Sequence, residues 1–148
     1  MKTPMIDPAL VSALKRLKLG HIADTLPERI VLAEKQDMAV QDLMLLVLSD
    51  EITRRESTST ERRAKEAVLD PTMRIELWDA TAKVTYDRRV FAELMSLRFI
   101  EAHQHVIVLG PVGVGKTFLA TALGHVACRH RYQVAFTRAD DMLRKLRQ

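Results

Sequence analysis

Cysteine is all but missing from these 148 residues. Cys128 stands alone, so no internal disulfide can form, and the chain reads as one kept in a reducing compartment. Long apolar runs are missing too. None approaches the roughly 20 residues that a helix needs to cross a bilayer, and the opening MKTPMIDPAL lacks the sustained apolar stretch of a secretory signal. A soluble, cytoplasmic protein with no membrane partner is expected. The five histidines, His21, His103, His105, His125 and His130, show no metal-ligand spacing, and His125 with Cys128 is only an i, i+3 pair. Cys128 has no designated base beside it that would make it a nucleophile. Glycines number only five, and three of them fall at 110, 113 and 115.

What is present looks globular. Apolar residues make up 47% and charged residues 28%, in a length that suits one modest domain. The net charge of +4 is uneven: residues 1–70 carry 11 Lys/Arg against 12 Asp/Glu, and residues 71–148 carry 12 against 7. That balance permits contact with DNA without requiring it.

The three clustered glycines sit in the stretch that organises the chain, HVIVLGPVGVGKT at 105–117. Gly110, Gly115, Lys116 and Thr117 complete the G-x-x-x-x-G-K-[ST] phosphate loop. At ordinary residue frequencies those four positions coincide in roughly 0.5% of chains this long, so the match is read as a site. The apolar run 106–109 before it suits a buried parallel strand, and Thr117 onward to Val126 suits a helix. Glycine permits tight turning, the backbone N–H groups of Gly110, Pro111, Val112, Gly113, Val114 and Gly115 (proline excepted) can nest phosphate oxygens, and the helix N-terminus adds its positive dipole end. Lys116 brings a charge for the β- and γ-phosphates. Thr117 offers a hydroxyl to a magnesium ion held with them. Phe118, next in the first turn, is counted with them as a nucleotide-binding residue. ATP and Mg2+ are the expected ligands.

Binding is not turnover. Hydrolysis also needs an acidic residue on a neighbouring strand and a group to position water. Only 31 residues follow Thr117, and the acidic ones among them, Asp140 and Asp141, open a polar segment instead of ending an apolar strand. These residues are expected to bind nucleotide without competent hydrolysis and to contain no catalytic residue.

The rest of the chain is mostly helical in pattern. Pro8 opens a helix with Leu10, Leu14 and Leu17 on one face and Gly20 as its stop. Thr25-Leu26-Pro27-Glu28 predicts a capping box and a short helix to about Glu34. MAVQDLMLLVLSDEITRRE predicts the strongest helix, with Leu43, Met44, Leu46 and Val47 as its apolar face. Ser57-Thr58-Ser59-Thr60 either breaks that helix, with Thr58 and Glu61 capping a new one to Leu69, or lies on a solvated face; Pro71 ends the element. Residues 72–86 read as an extended connector with Trp78 as a packing anchor. Asp87 caps a helix from Arg88 to Phe99 that buries Val90, Phe91, Leu94 and Leu97. Residues 133–136 predict a second strand, and Thr137 with Asp140 a capping-box opening for the last helix. Arg54, Arg55, Arg62, Arg63 and Lys65 form the best basic patch, readable as phosphate-backbone contacts or as a solvated face paired with Glu51, Glu56, Glu61 and Glu66.

Taken in order, RRE…ERRAKEA, YDRRVFAELMSLRFI, VIVLGPVGVGKTFLATALGH and QVAFTRADDMLRKLR resemble the IstB-like transposition helper ATPases, relatives of the DnaC-type helicase loaders in the AAA+ superfamily. The resemblance spans nearly the whole chain; Phe118 departs from the histidine common after GKT. It implies an α/β protein: a helical DNA- and partner-binding domain over 1–70, a connector over 71–86, and the truncated start of an AAA+ P-loop αβα module over 87–148. It also implies ATP-dependent assembly on double-stranded DNA, self-association, and recruitment of a transposase. Arg54, Arg55, Arg62 and Arg63 carry over as DNA contacts less securely than the loop does as a nucleotide site. In the family's sheet order, 5-1-4-3-2, the strands at 106–109 and 133–136 are not neighbours. The Walker B pair, sensor, arginine finger and remaining sheet would follow the helix near Ala139 and are not in this sequence, so a fragment is expected. Two other functions stay open: a helicase-loader fragment, and a non-enzymatic DNA- or partner-binding remnant.

Overall fold

A computed structural model describes residues 4–78 and 85–147. The chain divides into two compact units, Met1–Thr58 and Ser59–Gln148.

The first unit is helical. α1 (Pro8–Arg16) starts where Asp7 Oδ1 accepts the Ala9 N–H at 2.7 Å and proline fills the first position. Of the expected face, Leu14 is half-buried, whereas Leu10 and Leu17 are exposed. α2 (Ile22–Gln36) begins three residues before Thr25, so the capping box does not form. The Thr25 hydroxyl donates back to the Ile22 carbonyl, and Pro27 lies inside the helix, one turn from its start, where its missing N–H forfeits a single bond. The helix α3 (Val40–Glu66) is continuous through all four hydroxyl residues. Thr58 Oγ1 donates to the Arg54 carbonyl at 2.9 Å, so the helix absorbs its hydroxyl and no new cap forms. Ile22, Ala33 and Val47 are the unit's buried apolar residues; Leu43 and Leu46 are half-buried and Met44 is exposed. Arg29 Nε donates to Asp50 Oδ2 at 2.6 Å, pinning α2 to α3.

The second unit takes the tail of α3, a 3-10 turn (Ile75–Leu77), α4 (Arg88–Met95), α5 (Arg98–Glu101), α6 (Lys116–Arg129) and α7 (Ala139–Leu146). α3 ends at Glu66, five residues before Pro71. Its last turn closes by Val68 N–H donating to the Lys65 carbonyl and Leu69 N–H to the Ala64 carbonyl, both at 3.0 Å. The left-handed position of this closure is Val68 at φ 56°. A β-branched residue there is strained by about 1–2 kcal/mol. It is held because the next residue, Leu69, is buried with Ala64, Ala67 and Cys128, which stabilises by about 2 kcal/mol. Gly124 makes room for it: a Cβ there would stand 3.0 Å from Leu69 Cδ2. The same paired closure, with no glycine at its left-handed position, ends α1 at Lys18, α5 at His103 and α6 at Arg131. Val68 itself is exposed, so Val68→Gly is expected to stabilise the chain by about 1 kcal/mol. Urea unfolding checks this; an unchanged or lower midpoint would show that the left-handed turn carries no strain.

Asp87 caps α4 as expected, accepting from Arg89 and Val90 N–H groups. The helix stops at Met95 and not at Phe99. Ser96 Oγ donates to the Glu93 carbonyl at 2.6 Å, and Leu97 turns left-handed at φ 58° to bury against Val126 and Ala127. Burying a leucine offsets the cost of that turn. Val90, expected inside, is exposed. The connector holds the 3-10 turn; its residues 79–84 lie outside the described ones. α6 is the centre of this unit, with Thr121, Ala122, His125, Val126, Ala127 and Cys128 all buried. Burial on so many sides marks a helix enclosed by its neighbours.

Among the described residues no strand forms. The segments 106–109 and 133–136 have the composition of strands but no ladder partner, and a strand exists only by pairing. Ile107 and Leu109 are exposed. Thr137 lies ahead of the Arg138 N-cap, and no side chain caps α7. No helix of the described residues is long and apolar enough to cross a membrane.

Candidate functional site

The loop between 109 and α6 has the backbone that its glycines predict. Gly113 and Gly115 stand at φ +87° and +88°, a region that L side chains rarely enter. Space is not the constraint, because a Cβ at either would meet nothing within 4 Å. Gly110 is packed: a Cβ there would lie 3.2 Å from Val114 Cγ2. Pro111 and Val112 are exposed at the tip, Val112 almost completely.

α6 begins directly after Gly115, and no side chain caps it. Its first-turn N–H groups and dipole therefore face the loop. Lys116 folds back across the loop, its Nζ donating to the carbonyls of Gly110 at 2.8 Å and Pro111 at 2.5 Å. Thr117, one residue on, is exposed. Phe118 points elsewhere: its ring meets Trp78 edge-on at 5.4 Å. Mg2+ prefers an octahedral shell of water and phosphate oxygens, and no group of three or more His, Cys, Asp or Glu side chains among the described residues could hold it alone. The Thr117 hydroxyl fits as one ligand completing a shell that a bound nucleotide and water would otherwise supply.

The sequence gives no hint of the cavity beside this loop. It measures about 340 Å³ and is lined by Gly110, Pro111, Val114, Gly115 and Lys116 together with Trp78, Thr85, Tyr86 and Phe91. Four of the chain's seven aromatic residues gather here. Trp78 packs on Tyr86 at 5.9 Å and on Phe91 at 6.0 Å, and Tyr86 on Phe91 at 5.1 Å. Trp78 is the anchor that was expected, and it lines the site as well. Trp78 and Phe118 stand 40 residues apart in the sequence, so only folding brings these rings together beside the loop.

The basic patch divides by partner. Arg54 Nε and Nη2 grip Glu51 at 2.8 and 2.9 Å, and Arg55 Nε donates to the same carboxylate at 2.6 Å while its Nη2 donates to the Lys18 carbonyl. Glu51 is buried, and chiefly the Arg54 bonds, helped by Arg55 and opposed by burial, lower its pKa to about 2. Arg63 donates to the Cys128 carbonyl at 2.9 Å and to Ser59 and Thr60 hydroxyls. It straps the tail of α3 to the end of α6. Arg62 and Lys65 are exposed, Arg62 facing Glu66 at 3.9 Å. Burial pushes the Cys128 thiol pKa up, the wrong direction for a nucleophile.

A family model described as IstB-like ATP binding protein matches residues 12–148. A protein of Mycobacterium tuberculosis, named for ATP binding in an insertion sequence, is 37% identical over 95% of this chain and 56% of its own length. One named as the ATP-binding protein of insertion sequence IS21 in Pseudomonas aeruginosa is 35% identical over 90% of this chain and 50% of its own. Another, of IS1162 in Pseudomonas fluorescens, is 33% identical over 97% and 62%. The chain spans between half and two thirds of the length of these relatives.

Proposed function

The chain belongs to the IstB-like ATP-binding proteins, and from that membership and the loop geometry we propose that it binds ATP with Mg2+ as part of an insertion-sequence transposition helper. The observation that carries this reading is the union of two left-handed glycines, an uncapped helix start and Lys116 in one loop. On nucleotide entry Lys116 exchanges neutral carbonyl acceptors for phosphate oxygens, and bonds to ionised acceptors are roughly twice as strong. The α6 N–H groups hold the phosphates. The Thr117 hydroxyl would hold a magnesium ion, whose chemistry there would be to neutralise phosphate charge.

In this reading 106–109 and 133–136 are strands of an AAA+ αβα module that pair once more sheet is present. Residues 1–70 form the region that meets double-stranded DNA and a transposase, and copies of the protein associate on DNA. The insertion-sequence names of the relatives favour transposition over helicase loading. Residues 1–148 are proposed to bind without turnover, because Asp140 and Asp141 lie in the first turn of α7. Titration with Mg·ATP, with phosphate release followed in the same tube, tests this. Binding without release supports the reading; steady release would require a carboxylate within these residues to act on the bound nucleotide.

For DNA, Arg62 and Lys65 are the proposed phosphate contacts, with the spare Nη1 donors of Arg54 and Arg55 secondary. Replacing both Arg62 and Lys65 by alanine is expected to weaken binding to unrelated duplexes by a similar factor. The log–log salt slope should fall by about 2. An unchanged slope, or a loss confined to one sequence, would overturn it.

A further inference from the structure

We infer that the cavity beside the loop takes the base of a purine nucleoside triphosphate by stacking on Trp78 and Tyr86, and that it separates purine from pyrimidine better than adenine from guanine. This rests on the nucleotide reading of the loop and goes on to say which nucleotides that site accepts. One cavity of about 340 Å³ is lined both by Gly110 and Lys116 of the loop and by Trp78, Tyr86 and Phe91. Phosphates held on the loop would thus leave their base beside Trp78.

Two features make the rings a wall for stacking. Trp78 is braced, with Phe118 against it at 5.4 Å and Phe91 at 6.0 Å, so it is held in place before a base arrives. Tyr86 is 44% exposed although its ring is packed on Phe91 at 5.1 Å, which leaves aromatic surface open. Phe118 is accordingly a positioning residue for Trp78, although its place in the sequence suggests a phosphate contact.

The expected selectivity follows from what lines the space. Adenine and guanine differ at their edges, where donor and acceptor positions exchange. A site tells them apart only by fixed groups that are left unpaired by the wrong base. Among the described lining residues there is no carboxylate or carboxamide side chain. The hydroxyls of Thr85 and Tyr86 can rotate to donate or accept. Stacking is indifferent to edge chemistry and grows with ring area, so the two-ring bases gain over the one-ring bases.

Trp78 is the only tryptophan, so intrinsic emission comes from the cavity wall. The experiment titrates the 148-residue protein in Mg2+ with ATP, GTP, CTP, UTP and inorganic tripolyphosphate, reading affinity by calorimetry and Trp78 emission in parallel. ATP and GTP should bind within about 5-fold of each other and quench emission, and CTP and UTP about 10-fold more weakly. Tripolyphosphate should bind without quenching. Trp78→Leu should bring ATP down to the affinity of tripolyphosphate while leaving tripolyphosphate itself unchanged, which also shows that the variant is folded. Trp78→Phe should keep most of the affinity. An ATP preference over GTP beyond about 30-fold, or full ATP affinity in Trp78→Leu, overturns the stacking proposal with the loop reading intact. Failure of every ligand, tripolyphosphate included, overturns the loop reading and this proposal with it.

Discussion

Lys116→Ala is expected to lower affinity for Mg·ATP by about 100-fold or more while leaving the unfolding midpoint nearly unchanged. Lys116 is the one charged side chain of the loop, and its Nζ reaches two acceptors at 2.8 and 2.5 Å. Hydrogen bonds to charged groups contribute about 1.5–3 kcal/mol each, so losing two such bonds to phosphate removes at least about 3 kcal/mol. The bonds it makes to Gly110 and Pro111 carbonyls are exposed, and water replaces them at little cost. Calorimetry on both proteins, with thermal unfolding as a control for folding, decides it. An affinity within 3-fold of the parent would mean that the loop does not hold the phosphates.

The second large effect lies in the helical unit, and it concerns stability. Glu51→Ala is expected to destabilise the chain by about 2–3 kcal/mol, at or below the usual 3–5 for breaking a buried ion pair, because Arg54 and Arg55 keep 37% and 50% of their side-chain surface in water. The pH dependence is distinctive. The folded Glu51 pKa of about 2 lies below its ordinary 4.5. Its contribution is therefore fully present above about pH 4.5 and is lost as the pH falls toward 2. Urea unfolding at pH 7, 4.5 and 3 should show the gap between parent and Glu51→Gln narrowing as acid is added. A constant gap would mean that the carboxylate is not stabilised by its arginines.

These two residues also show what the sequence could and could not disclose. Lys116 was legible because the loop is local: six consecutive backbone conformations and one helix start are specified by residues within eight positions of each other. The start of α4 was legible for the same reason, since Asp87 caps the N–H groups of its near neighbours. Glu51 was legible only in part. The sequence offers it as one partner of the patch on a solvated face, and only folding shows that its carboxylate is buried and takes both Arg54 and Arg55, while the Lys18 carbonyl just past the end of α1 receives a further donor. Arg63 likewise finds its acceptor 65 residues on, at Cys128. The break in the helix at Leu97 and the end of α3 at Val68 were hidden too, because burial of Leu97 and Leu69 decides them against local preference. The strand pattern at 106–109 and 133–136 was legible, but pairing is a property of two segments, and composition describes one.

The glycine-free helix ends have a wider consequence. Lys18, Val68, His103 and Arg131 each hold a backbone shape suited to glycine, at about 1 kcal/mol apiece. Against the 5–15 kcal/mol that separates a typical domain from its unfolded state, the four together are a large margin. That headroom is unused in this chain, whereas glycine stands at the two left-handed positions of the phosphate loop. A designer seeking a hardier version of this protein could thus begin at four surface corners, none of them within the phosphate-loop motif itself.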